Sequence, residues 1–250
     1  MSLAIVAGSG LSGLARVMQV EREVPFEEIP GVGAATVAGH AGRLLAGTIG
    51  DRPCQLILGR RHFYEGNARP IEALIDFVAG AGATTLLVTS AAGSLRRFHR
   101  SGDLVVIHDL IDLQNRSVPG PRDGSHRARV TLARGMKLDA RATGLFESAA
   151  TAAGVAWQRG ISACASGPLY ESSADVQFLQ YAGADVATMS GAPEVAHAND
   201  LGLPVIAVAV VTNPCTGIDV SVPSHAEVLE ASARAAQGLG RAIVQFIGRL

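Results

Sequence analysis

Aromatic side chains are scarce in this chain: seven Phe, three Tyr and one Trp stand among 250 residues. Charged residues are scarce as well, at 17%, against 48% hydrophobic ones. This balance suits a compact, heavily buried α/β protein that hides further surface in an oligomer, and 250 residues suffice for one sizeable domain, 1–250, with a full core. The formal charge of −1 supplies no global attraction to nucleic acid or to an anionic membrane. The three cysteines, Cys54, Cys164 and Cys215, lie far apart and form no Cys-x-x-Cys. That pattern excludes a disulfide framework and a zinc site, and reads as reduced thiols of a cytosolic protein. No stretch approaches a charge-free membrane span. The short apolar run at residues 3–7 lacks the basic flank of a signal peptide. The expectation is a cytoplasmic protein with no metal, no membrane and no nucleic-acid partner.

What the chain does contain is an alternation of strands and helices. Leu3-Ala4-Ile5-Val6-Ala7 is a short apolar strand running into glycines. Residues 35–58 hold two or three β segments broken by glycines and by Asp51-Arg52-Pro53, most simply an antiparallel meander. Pro70 opens a helix with Ile71, Leu74, Ile75 and Val78 on one face. Strands are expected at 84–89, 104–107, 155–164, 185–189 and 204–211, and helices at 139–153, 173–181, 193–201 and 224–250. The pattern predicts an α/β fold: one domain with a mixed, partly barrel-like central sheet flanked by helices. Residues 114–134 carry five arginines against one acid, Asp123, with Pro119, Gly120, Pro121 and Gly124. This stretch reads as a loop, a lid or a segment reaching a neighbouring subunit. It lacks the aromatics that nucleic-acid stacking needs.

Gly8-Ser9-Gly10-Leu11-Ser12-Gly13 matches the dinucleotide fingerprint, but a lone match is weak. The fingerprint also requires a second parallel strand ending in an acid about twenty positions on. Here Pro25 and Pro30 interrupt that region, and no strand is expected before Glu27-Glu28. The glycines and Ser9 suit an oxyanion-holding loop instead. The densest polar cluster is Gly59-Arg60-Arg61-His62-Phe63-Tyr64-Glu65-Gly66, directly after an apolar strand. Arg suits phosphate, His adds a donor, and Glu can orient that His. Polar residues recur at other strand ends: Ser90-Ala91-Ala92-Gly93, Gly167-Pro168-Leu169-Tyr170-Glu171, Met189-Ser190-Gly191-Ala192-Pro193-Glu194 and Thr212-Asn213. Each alone reads as an ordinary turn or helix cap. Their joint occurrence at successive strand ends reads as a ligand site.

In order and wording these pieces resemble the trimeric purine nucleoside phosphorylase family, which includes the methylthioadenosine phosphorylases. Gly102-Asp103-Leu104, Gly183-Ala184-Asp185-Val186 and Ser224-His225-x-Glu227-Val228-Leu229 extend the likeness over nearly the whole chain. The resemblance implies reversible phosphorolysis: a purine ribonucleoside and phosphate give free purine and ribose 1-phosphate. It implies no cofactor beyond phosphate as co-substrate, and a homotrimer. By the same resemblance Ser9, Arg60, His62, the Ala91 amide and Ser190 would cradle phosphate, with Glu65 orienting His62. Tyr64, Met189 and His225 would contact ribose. Tyr170, where the family usually has Phe, would stack on the base, and Glu171 and Asn213 would read it. Catalysis would rest on His62, Glu65 and Asn213, while Arg61 is unassigned and expected to face solvent.

An ionised Glu171 can accept the N1–H of a 6-oxopurine but faces the bare N1 acceptor of adenine, so inosine- and guanosine-like substrates are expected. Methylthioadenosine phosphorylases carry Asp at the position of Asn213. Three departures stand out: Ser90 replaces the family's usual Asn, Gly191 replaces a bulkier residue, and residues 114–145 contain no aromatic. Family trimers lend an aromatic from that region to the neighbour's ribose pocket, so His126 or an arginine would have to serve here. The alternatives are a phosphorylase for 5′-modified nucleosides such as 5′-methylthioinosine or 5′-methylthioadenosine, a hydrolytic nucleosidase, and a catalytically silent nucleoside-binding protein. The base-reading assignment predicts that an Asn213→Asp variant gains adenosine cleavage in a base-release assay; a variant with no such gain contradicts it.

Overall fold

The structure is a computed structural model that describes residues 1–34, 41–66, 69–114, 136–219 and 225–250, the side chains of 225–227 excepted. Strand β1 (Leu3–Ala7) is buried along its whole length, as a central strand covered on both faces must be. It runs parallel to β4 (Arg52–Leu58) on one side and to β5 (Thr85–Ser94) on the other. β3 (Arg43–Ile49) forms a hairpin with β4, as the meander predicted. β2 (Gln19–Pro25) extends it antiparallel at the edge. This strand corrects the expectation that none precedes Glu27-Glu28. Only Val24 of it is buried, so its sequence shows no apolar alternation. It is not parallel to β1, and the dinucleotide-binding topology is still absent.

The remaining strands are β6 (Leu104–Asp112), β7 (Trp157–Cys164), β8 (Val186–Thr188) and β9 (Val205–Pro214). The order across the sheet is β2-β3-β4-β1-β5-β8-β7-β6-β9, and β9 also pairs in parallel with β5. The last five strands therefore close on themselves, giving the partly barrel-like sheet that was expected. Closure also corrects two boundaries. Ser90-Ala91-Ala92-Gly93 is not a loop after β5 but its second half, paired with β9, and β6 runs five residues beyond Ile107. Small and polar residues there look like a turn in sequence, yet ladder bonds to neighbouring strands keep them extended.

Alternation along β1 sends Leu3, Ile5 and Ala7 to one face and Ala4 and Val6 to the other. The first face packs under α2 (Ala140–Ala152) and α5 (His225–Ile247), where Phe146 and Phe246 meet edge to face at 5.5 Å. The second packs under α1 (Arg69–Gly80) and α4 (Ala192–Asp200). The predicted face of α1 is the buried one: Ile71, Leu74, Ile75 and Val78. α3 (Ser173–Tyr181) covers a smaller cluster at the barrel, around Val176, Leu179 and Ala187. Asp139 and Ser172 cap α2 and α3 by accepting from the Ala142 and Asp175 amides. Among the described residues, no helix is long and apolar enough to cross a membrane. The arginine-rich loop falls outside them from residue 115 to 135, His126 included.

Barrel closure has one consequence for the site. β5 and β8 pair antiparallel through only Gly93↔Ala187 and Ser94↔Val186. Three residues further along the same register, Ser90 and Ser190 face each other, and their hydroxyl oxygens lie 3.1 Å apart.

Candidate active site

A cavity of about 450 Å³ opens where β1, β4, β7 and β8 end beside the second half of β5 and the end of β9. Ser9, Arg60, His62, Ala91 and Ser190 line it, and so do Tyr64, Met189, Tyr170, Glu171 and Asn213. Ten of the twelve expected site residues thus share one wall-to-wall space. Glu65 stands behind His62 instead of on the lining. His225 begins α5, but its side chain lies outside the described residues, as does Ser224. Among the described residues, no group of three or more His, Cys, Asp and Glu is placed to hold a metal ion.

At the β1 end, Gly8 lies flush against β5. A Cβ there would fall 2.9 Å from the Thr89 carbonyl oxygen and 3.2 Å from the Ala91 amide nitrogen, so only glycine brings this loop so near the strand. Thr89 ties both pieces: its hydroxyl donates to the Val6 carbonyl at 2.8 Å, and the Gly8 amide donates to that hydroxyl at 3.2 Å.

Arg60 is 1% exposed, and its charge is answered inside the protein. Nη1 lies 2.9 Å from Glu194 Oε1, and Nη2 donates to the carbonyls of Thr89 and, at 3.4 Å, Val6. Burial pushes the guanidinium pKa down, and the Glu194 carboxylate opposes that fall. Glu194 is equally buried, and its second oxygen accepts from the Gly191 amide at 3.0 Å, capping α4. In the sequence Glu194 stands within a strand-end motif and carries no assigned role. The available signal was an acid three residues into a helix that starts at a strand end, which reads equally as a capping box.

His62 and Glu65 form a second polar unit. The carboxylate accepts from the His62 amide at 2.5 Å and faces ring Nδ1 at 3.3 Å. Its other oxygen pairs with Arg61 Nε at 3.0 Å, and Arg61 Nη1 donates to the Ala34 carbonyl at 2.7 Å. Arg61 therefore does not simply face solvent: it fixes the carboxylate that holds His62. The imidazole stacks on Tyr64 with centroids 5.0 Å apart. Gly167 presses on the same place, since a Cβ there would meet Met189 Sδ at 2.7 Å and the Tyr64 ring at 2.9 Å.

At the opposite end of the cavity Tyr170 is half-exposed, while Glu171 and Asn213 are partly buried. Burial raises the pKa of Glu171, its own backbone amide opposes the rise, and Asp175 adds to it. Beside it the Cys215 thiol is pushed up to about 12, again by burial. Asn213 is held by its neighbours: Oδ1 accepts from the Thr212 hydroxyl at 2.6 Å, and Nδ2 donates to the Pro214 carbonyl at 2.9 Å. This fixes which way the amide points, and leaves one lone pair and one N–H for a ligand.

The family described as the phosphorylase superfamily matches residues 2–248 of this chain. A purine nucleoside phosphorylase of Bacillus subtilis is 33% identical over 99% of this chain and 92% of its own length. A solved purine nucleoside phosphorylase of Schistosoma mansoni superposes with a TM-score of 0.84 in its adenosine complex, at 30% identity over 99% of this chain and 90% of that one. Its inosine complex, with the same identity and coverage, superposes with a TM-score of 0.82.

Removing one partner of a buried ion pair leaves the other charge uncompensated. A Glu194→Ala variant is therefore expected to lose about 3–5 kcal/mol of stability in urea unfolding. Glu194→Gln, which keeps an acceptor for the Gly191 amide, should lose less.

Proposed function

The chain belongs to the phosphorylase superfamily and is an enzyme of the purine nucleoside phosphorylase type, a pentosyltransferase; on that footing we propose that it cleaves 6-oxopurine nucleosides with phosphate. The observation that supports the proposal is that Ser9, Arg60, Ala91 and Ser190 line the same cavity as Tyr170, Glu171 and Asn213.

Phosphate is both nucleophile and anion, so holding it in line and balancing its charge supply most of the catalysis. Ser9, the Ala91 amide and Ser190 are its hydrogen-bond donors, and the positive end of Arg60 stands behind them. Glu65 holds His62 by Nδ1, and the imidazole faces the phosphate. Tyr64, Met189 and His225 take the ribose, so that C1′ lies between phosphate and base. As the bond to the purine breaks, positive charge develops on the sugar and negative charge on the base. Asn213 stabilises the departing purine at O6 and N7, Glu171 accepts N1–H, and Tyr170 covers the ring. The preference for 6-oxopurines rests on Glu171 and Asn213, because the Schistosoma relative has been solved with adenosine as well as inosine. Phosphate is the co-substrate and no other cofactor is invoked. The enzyme acts in the cytoplasm as a homotrimer, without nucleic-acid or membrane partners.

Incubation with inosine, guanosine, adenosine and their 5′-methylthio analogues, with and without phosphate, tests this. Phosphate-dependent release of hypoxanthine and guanine is expected. Release that ignores phosphate would instead indicate a nucleosidase, and no turnover of any purine nucleoside a silent binder.

Glu171 adds a pH signature. Its raised pKa means that it takes up a proton at a higher pH than an exposed carboxylate does. The neutral acid accepts N1–H less well, so KM for inosine should rise as pH falls, starting above the ordinary carboxylate range. Glu171→Gln should abolish that acid limb in a KM–pH profile.

A further inference from the structure

Ser90 stands outside the cavity lining and none of the roles above uses it, yet it touches two groups that matter there. It is 6% exposed. Arg60 Nη1 reaches its hydroxyl oxygen in a long contact of 3.5 Å, and the Ser190 hydroxyl oxygen lies 3.1 Å away. The chemistry of the donors fixes the first of these contacts. A guanidinium carries donors only, so toward Arg60 the Ser90 oxygen can only accept. The single proton of Ser90 is then available to the Ser190 oxygen. With Ser90 as the donor, Ser190 keeps its own proton for the cavity that it lines.

Resting on the phosphorolysis reading, we propose that Ser90 is a positioning residue: it relays the polarity of Arg60 to Ser190 and turns the Ser190 O–H toward phosphate. The backbone makes the relay possible. The antiparallel register of β5 and β8 sets Ser90 opposite Ser190. Gly191 follows at φ +105°, a conformation suited to glycine, and its amide is held by the carboxylate that also binds Arg60. Arg60, Glu194, the 190–191 turn and Ser90 thus form one closed circuit. Without Ser90 the Ser190 proton is no longer directed, and the hydroxyl can spend it on other acceptors.

Steady-state kinetics with inosine and phosphate varied separately test the proposal, with melting temperatures measured alongside. Ser90→Ala is expected to raise KM for phosphate about fivefold, the loss of one aligned hydrogen bond, while KM for inosine stays unchanged. Ser90→Thr, which keeps the hydroxyl, should restore most of the affinity. In a Ser190→Ala background, Ser90→Ala should have no further effect, because the proton it directs is gone. An unchanged phosphate KM in Ser90→Ala overturns the relay, as does an equal rise in both KM values. So do effects of the two alanine variants that simply multiply. Should Ser90→Ala fail to fold, Ser90→Thr and Ser90→Cys carry the same comparison, a weak thiol donor replacing a strong hydroxyl one. Wild-type base release that ignores phosphate would be a different failure, that of the phosphorolysis reading itself.

Discussion

The ion pair between Arg60 and Glu194 is the constraint on which the polar end of the cavity depends. Both groups are almost fully buried, where an isolated charge is prohibitive and a paired one is tolerable only with its remaining hydrogen bonds filled. The chain fills several of them from different elements at once. The carbonyls of β1 and β5 receive the guanidinium, the first turn of α4 offers the carboxylate, and the Gly191 amide occupies its second oxygen. The pair therefore locks three separate segments in register. Replacing buried ion pairs by packed hydrocarbon is often neutral or stabilising, but here it would remove the positive pole of the proposed phosphate site.

Closure of the barrel is the second requirement. Without the short β5–β8 pairing, Ser190 would have no reason to stand opposite Ser90, and the turn carrying Met189 would have no fixed place beside Tyr64. Close backbone approach at Gly8 does similar work at the β1 end. Rigid elements thus supply the positions, and short loops together with the ends of β5 and β9 supply the chemistry.

Much of this was legible in the residues. Buried strands such as β1 and β9 announce themselves as apolar runs, and α1 by its helical spacing, because in each case burial follows local pattern. The strand β2 was not legible, since five of its seven residues are exposed and its pairing with β3 imposes no alternation. The second half of β5 reads as a turn, because Ser-Ala-Ala-Gly is turn-like by composition, whereas its extension comes from partners far away in sequence. The same reason hides Glu194, Arg61 and Ser90. Their roles arise from contacts made across the fold, such as Arg61 reaching Ala34 or Arg60 reaching α4, and no local signal distinguishes them from a cap or a surface charge.

In the proposed division of labour, the buried, charge-balanced end takes the anion, and the end with a raised carboxyl and an oriented amide takes the base. A crystal structure with phosphate bound tests the central claim most directly. The account predicts phosphate within hydrogen-bond distance of Ser9, the Ala91 amide and Ser190, with the Arg60–Glu194 pair intact behind it. Phosphate bound elsewhere, or bound only after that pair has broken, would contradict it.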